Sequence, residues 1–344
     1  MVTFLTGATG FIGGAVLERL LREEGARVMT LVRHEEAARQ VVAKGAHPVL
    51  GDVLSPETYR EVLHGCDLLF HAAGLNAFCP VDPRLLYEVN VEGTRTLLHA
   101  AGEVGVKRIL YTSSALTIGE PPGSVAREET IHRGYFLSHY ERAKYEAEQI
   151  ALALARQGLP VIILNPSSVQ GPGRLHGTAR ILLDYLNGRL PFIFGNRFSF
   201  LYIEDCVEAH VKAVERGRVG ERYLLSGPTA TTEELIQTME EVTGLRKRPW
   251  KVGSTVAVAL GAGMEWGGRL VGRRPKFCRE MARTLLHGGT YDTSKAKREL
   301  DVSFTPLREM VAHTVAWYAE AGHVNRLLPG LVSGSNWGCP GSSN

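Results

Sequence analysis

The stretch from Val2 to Gly13 constrains this chain more than any other. A short apolar run, Thr3-Phe4-Leu5, leads directly into Thr6-Gly7-Ala8-Thr9-Gly10-Phe11-Ile12-Gly13, and an amphipathic stretch follows from Ile12 to Glu24. Three glycines between a strand and a helix have separate uses: Gly7 permits a tight turn, Gly10 lets the backbone approach a pyrophosphate, and Gly13 lets the helix pack closely on the sheet. The helix start then offers unpaired N–H groups and a positive dipole end to phosphate at Thr9, Gly10, Phe11 and Ile12. Such a turn predicts a dinucleotide bound at the strand ends of a parallel sheet.

The rest of the N-terminal half keeps to that pattern. Strands are expected at Thr3–Leu5, Arg27–Leu31, His47–Leu50, Leu68–His71, Arg108–Thr112 and Val161–Leu164, with helices over Ile12–Glu24, Arg84–Glu103 and Tyr140–Gln157 between them. Six strands alternating with helices describe an α/β fold, a Rossmann-type doubly wound parallel sheet. Residues 1–166 form the NAD(P)-binding domain in this reading. Beyond Asn165-Pro166, glycine and proline break the pattern, and residues 167–325 form a smaller, mixed substrate region. The two are interleaved, because Ser199–Ile203 and Glu204–Arg216 read again as strand and helix, so that about 199–217 returns to the Rossmann part. Residues 326–344 end rich in Gly and Ser and read as a partly disordered tail.

Composition excludes several alternatives. The 39 basic and 36 acidic side chains nearly balance, which leaves no electrostatic footprint for nucleic acid. The five cysteines, Cys66, Cys79, Cys206, Cys278 and Cys339, are scattered without metal-ligand spacing, so reduced thiols in a cytoplasmic protein are expected. The histidines have no ligand spacing either, and no metal is assigned. No basic stretch or cleavage site precedes the first strand, so no leader is expected. The apolar segment Val252–Val271 is interrupted by Glu265 and Arg269. It reads as a helix of the substrate region with no stable membrane insertion, an interfacial helix being the alternative.

The second strand ends Leu31-Val32-Arg33-His34, where selection of the 2′-hydroxyl of NAD would call for a carboxylate. Arg33 can instead clamp a 2′-phosphate, so NADP(H) is favoured and NAD(H) remains an alternative. After the third strand, Gly51-Asp52-Val53 places a carboxylate to meet the adenine amino group or to serve as a turn residue.

Tyr140-Glu141-Arg142-Ala143-Lys144 sets a phenol and an ammonium four residues apart, on one face of a helix. A free tyrosine holds its proton until about pH 10, and a nearby ammonium should lower that value. Tyr140 would then give a proton to a nascent alkoxide, or take one from an alcohol, while Lys144 also holds the nicotinamide ribose. Upstream, Ile109–Ser114 ends a strand with two hydroxyls. Ser114 is favoured over Ser113 as the donor to the substrate oxygen.

With these residues in hand, the chain resembles an extended short-chain dehydrogenase/reductase of the NAD(P)-dependent epimerase/dehydratase superfamily. The resemblance runs from Thr6 to about Gly227 through His71-Ala72-Ala73, Asn90-Val91-Glu92-Gly93-Thr94, Ser114, Tyr140 with Lys144, and Asn165–Pro172. It implies that Ala72, Ala73 and Gly74 line the adenine ribose side, that Asn90 supports the sheet, and that Pro166 and Ser168 lie near the nicotinamide. Within that family, Phe198–His210 looks most like dihydroflavonol reductases, 3β-hydroxysteroid dehydrogenases and a hopanoid-associated sugar epimerase branch.

Sugar-nucleotide members usually carry an arginine where Phe198 stands, although Arg197 is adjacent. Dehydratases need an acidic pair where this chain has Ala115 and Leu116. Asn76, Phe78 and Phe198, with Tyr135, Phe136 and Leu175, are expected to wall the substrate pocket. The predicted activity is hydride transfer between NADP(H) and a ketone or aldehyde on an apolar small-molecule substrate. A sugar epimerase retaining NAD is the alternative enzyme, and a non-catalytic NADP-binding sensor or scaffold the alternative of another class. A homodimer built on the helices 84–103 and 140–157 is a further expectation.

Overall fold

The computed structural model describes residues 1–79, 82–246, 249–273, 275 and 277–332. Among them a seven-stranded parallel sheet runs in the spatial order His47–Leu50, Arg27–Val32, Val2–Thr6, Leu68–His71, Arg108–Thr112, Val161–Pro166, Arg222–Leu225. Chain order therefore reverses between Val2–Thr6 and Leu68–His71, and a crevice opens at the carboxyl ends of those two strands. The seventh strand was not expected. Arg222-Tyr223-Leu224-Leu225 lies beyond the regular strand–helix alternation, where periodicity alone does not tell a short buried strand from a loop.

Helices cover both faces, which is why the strands read as nearly continuous apolar runs. Leu5, Phe70, Leu110 and Ile162 point to one layer, against Val16, Leu17 and Leu20 of the first helix (Phe11–Leu20) and Cys206, Ala209 and Ala213 of Ile203–Arg216. Their strand neighbours Phe4, Leu69, Ile109 and Ile163 point to the other, against Leu97, Leu98 and Ala101 of Gly93–Glu103 and Ala147 and Ala151 of His139–Arg156.

Several expectations need correction. Arg84–Glu103 is not one regular helix: Arg84–Tyr87 and Gly93–Glu103 are α-helical, but Glu88–Glu92 between them forms a π turn that carries Asn90. Phe198–Tyr202 does not rejoin the large sheet. It pairs with Ser168–Gln170 and Thr229–Ala230 in a smaller one, while the helix that follows it packs on the first helix. Cys79 and Cys278 are not reduced but joined in a disulfide across 199 residues of chain, a pairing that follows from tertiary proximity and has no local signature. Cys66 and Cys206 are free and buried, and Cys339 lies outside the described residues. Of the expected tail, Pro329–Val332 forms a short helix against Thr232–Thr243, and residues 333–344 lie outside the described residues. Among the described residues no helix is long and apolar enough to cross a membrane.

Candidate active site

The glycine turn is built as tightly as its sequence implies. Gly7 has φ +80°, and a Cβ there would lie 2.6 Å from the Ala72 carbonyl carbon; a Cβ on Gly13 would lie 2.2 Å from the Gly7 carbonyl oxygen. Gly10 is the N-cap of the first helix with no side-chain cap, so the N–H groups of Phe11, Ile12 and Gly13 keep no partner within the helix. One groove beside the turn is lined by Gly7, Thr9, Gly10, Arg33, Asp52, Val53, Ala72, Ala73 and Gly74. These features fit the adenosine and phosphates of a dinucleotide. Arg33 stands exposed at the rim of this groove, at the end of Arg27–Val32. The Asp52 carboxylate accepts from Leu54 N–H at 2.9 Å, which is the turn role weighed for it.

Two buried side chains brace the groove. His71 bridges Thr6 Oγ1 at 2.8 Å and Thr94 Oγ1 at 2.9 Å, and burial with Lys144 nearby pushes it down to about 3, so it is a neutral strut between the first strand and the helix Gly93–Glu103. Asn90 donates to the Leu75 carbonyl at 3.0 Å and accepts from Leu75 N–H at 2.7 Å, which fixes the loop after Leu68–His71. Its role is thus to position Gly74 and Leu75.

The catalytic candidates meet beyond the turn. Ser138 caps His139–Arg156 by accepting from Glu141 N–H at 3.1 Å, and Glu141 accepts from Leu137 N–H at 2.8 Å and pairs with Arg133. That lock fixes Tyr140 in the first helical turn. Burial raises the Tyr140 phenol above its ordinary value, against a hydrogen bond from Ser114 and the charge of Arg174, which lower it. The expected lowering by Lys144 is corrected. Lys144 Nζ is buried and donates to the Tyr111 hydroxyl at 3.0 Å and the Thr112 carbonyl at 2.9 Å, and the positive charge that lowers the phenol is that of Arg174. Burial pushes Lys144 itself down to about 8, against the Glu148 charge, which raises it.

Ser113 and Ser114 are directed differently. The Ser113 hydroxyl donates to buried Glu148, which also accepts from Thr117 at 2.7 Å and Asn165 at 2.6 Å and pairs with Arg222 at 3.0 Å. Asn165 further donates to the Ser114 carbonyl at 3.1 Å. Glu148 went unnoticed in the sequence, although it follows Lys144 by four residues and so continues the Tyr140–Lys144 face.

Ser114 and Tyr140 open into a cavity of about 170 Å3 with Ile12, Asn76, Phe78, Pro166, Ser168 and Phe198. Asn76, Phe78 and Phe198 are thus brought together. Tyr135, Phe136 and Leu175 are not on this cavity: Leu175 lines a neighbouring groove with Phe11, Tyr135 is half exposed, and Phe136 packs on His132 and Tyr145. Arg197 also turns away, toward Glu234 and the Thr229 carbonyl. Arg174, absent from the sequence reading, lines both cavity and groove, with its guanidinium 5.1 Å from the centre of the Phe11 ring.

Comparison with known proteins agrees with this geometry. Residues 3–226 match the model of the NAD dependent epimerase/dehydratase family. The chain is 31% identical to sterol demethylase protein B of Methylococcus capsulatus, over 94% of this chain and 100% of that protein. It is 30% identical to the 4-hydroxy-2-methyl-3-oxo-4-farnesyl-3,4-dihydroquinoline-1-oxide ketoreductase of Stigmatella aurantiaca, over 87% of this chain and 91% of that protein. Among solved structures, that of gox2253 superposes with a TM-score of 0.80 at 32% identity, covering 94% of this chain and 99% of the other. The chain belongs to the NAD-dependent epimerase/dehydratase family and is an NAD(P)-dependent oxidoreductase.

Proposed function

We propose that the enzyme reduces a ketone or aldehyde carried on an apolar small molecule, and catalyses the reverse oxidation, with Ser114, Tyr140 and Lys144 as its working residues. The observation that carries this reading is that Ser114 and Tyr140 line one cavity, whose walls include Ile12, Phe78, Leu116, Val169, Phe198 and Leu285. Apolar walls with a few convergent polar groups suit a carbonyl on a ring or chain. The names of the Methylococcus and Stigmatella relatives refer to a sterol and a farnesylated quinoline, which supports the same substrate class.

The nicotinamide, when bound, supplies or accepts the hydride. Ser114 holds the substrate oxygen as negative charge develops on it. Tyr140 donates its proton to that oxygen; a phenol is already protonated at neutral pH, and burial raises it further, which suits an acid. In the oxidative direction Tyr140, as the phenolate, would take the proton from the substrate hydroxyl. Lys144 uses two of its three N–H donors on Tyr111 and Thr112, and the third is available to a ribose hydroxyl.

NADP(H) is the proposed cofactor, because Arg33 lies where an NAD-selecting carboxylate would stand. Fluorescence titration with NADPH and NADH, followed by a carbonyl panel read at the nicotinamide absorbance, tests both parts. Tighter NADPH binding with turnover of apolar ketones or aldehydes is expected. Tightly retained NAD with no net redox change would overturn the reading in favour of an epimerase.

A further inference from the structure

The charge of this chain is not evenly spread. In the sequence, residues 246–279 carry nine basic side chains and one acidic, Glu265, whereas the rest of the chain has thirty basic and thirty-five acidic. A near-neutral protein therefore holds one strongly cationic segment, and the helix Ser254–Leu270 lies at its centre.

That helix is inside out. A surface helix normally turns its apolar stripe inward and its charges to water. Here the inward face is made of small residues. Ala257 is fully buried, and a Cβ on Gly261 would lie 2.8 Å from the Cys278 carbonyl carbon, so the helix sits directly on the start of Arg279–His287. The outward face carries Val256, Leu260, Met264, Trp266 and Leu270, with Val271 just beyond the last turn. Trp266 and Leu270 are each 68% exposed, Val271 66%, and Trp250, in the short strand before the helix, 83%. Between Lys251 and Arg269 the only charged side chain is Glu265, and it is half-buried.

We infer that this face docks on an anionic lipid bilayer, with the helix lying in the plane of the interface. Apolar side chains enter the acyl boundary, tryptophans take the headgroup level, and cations at both ends of the helix meet lipid phosphates. Among the described residues, exposed Arg246 and Lys251 precede the helix and exposed Arg273 and Arg279 follow it, with Lys251 also reaching Glu233 at 2.5 Å. Charge selects lipid over a second copy of this chain, since two such cationic faces would repel. At 17 residues the helix is shorter than the ~20 needed to span a bilayer. Docking also places the enzyme usefully, because the neighbouring helix Arg279–His287 supplies Thr284 and Leu285 to the cavity of Ser114 and Tyr140.

The test is co-sedimentation of the full chain with vesicles of phosphatidylcholine alone or with about 30% phosphatidylglycerol. Pelleting with the anionic vesicles is expected, weakened about tenfold or more in pure phosphatidylcholine or on raising NaCl from about 50 to about 500 mM. The double variant Leu260→Glu/Leu270→Glu should lose that pelleting while keeping its thermal melting temperature and its NADPH affinity. No pelleting at low salt, or equal pelleting by the folded variant, overturns the inference. So does a dimer, seen by light scattering without lipid, that the double variant abolishes: the face would then be covered by a second copy.

Discussion

Glu148→Ala tests whether the strand end carrying Ser114 depends on one buried carboxylate. Glu148 is fully buried, accepts from Ser113, Thr117 and Asn165, and pairs with Arg222. Removing one partner of a buried ion pair costs about 3–5 kcal/mol, because the other charge stays behind. Arg222 keeps its bond to the Glu128 carbonyl and some contact with water, so the lower end applies, about 3 kcal/mol. At roughly 2 °C per kcal/mol for a chain of this size, the melting temperature should fall by about 6 °C. Turnover should also fall at saturating substrate in the variant that remains folded, since Asn165, which holds the Ser114 carbonyl, loses its anchor. Urea denaturation with an unchanged m-value gives the stability term, and stopped assays below the melting range give kcat. Glu148→Gln, which keeps the shape and one acceptor oxygen, should lose about half as much. A loss in the alanine variant under about 1 kcal/mol would refute the assignment of this carboxylate as the anchor.

Further predictions concern the chemistry. Tyr140→Phe removes only the phenolic oxygen, so carbonyl reduction should drop about 10²–10⁴-fold with NADPH affinity unchanged; near-native turnover would rule out Tyr140 as the acid. Arg33→Ser should weaken NADPH binding about 10- to 100-fold, the worth of a charge-assisted pair, and leave NADH binding alone, whereas equal weakening of both would remove Arg33 from cofactor selection. With Lys144 pushed down to about 8 by burial, its ammonium is lost as pH rises through that value, so kcat/KM for reduction should be level below it and decline above. A profile flat to about pH 10 would contradict that assignment.

How much of this was legible from sequence follows from range. The glycine turn, the six strands of the N-terminal half and the Tyr140–Lys144 spacing are local patterns, and the structure has those elements where periodicity puts them. Ser113 and Ser114 are adjacent in sequence, and the side chains that tell them apart, Glu148 and Tyr140, come from a helix more than twenty-five residues further on. Arg174 follows Gly171-Pro172-Gly173 and reads as a loop charge until the fold lays it against Phe11 and Tyr140. The π turn around Asn90 escaped because its sequence, Glu88-Val89-Asn90-Val91-Glu92, is compatible with ordinary helix. The disulfide partners belong to segments that meet only in the finished molecule.

That disulfide bears on how the enzyme can move. Cys79 adjoins Phe78 on one wall of the cavity, and Cys278 caps the helix that brings Thr284 and Leu285 to the other. Cavities between a nucleotide domain and a substrate region commonly open by hinge rotation of one part against the other. Here the two lips are stitched together, with α-carbons 5.7 Å apart, so a wide hinge swing is barred at that edge. Exchange of substrate and product is left to excursions small enough to leave the backbone frame at this width.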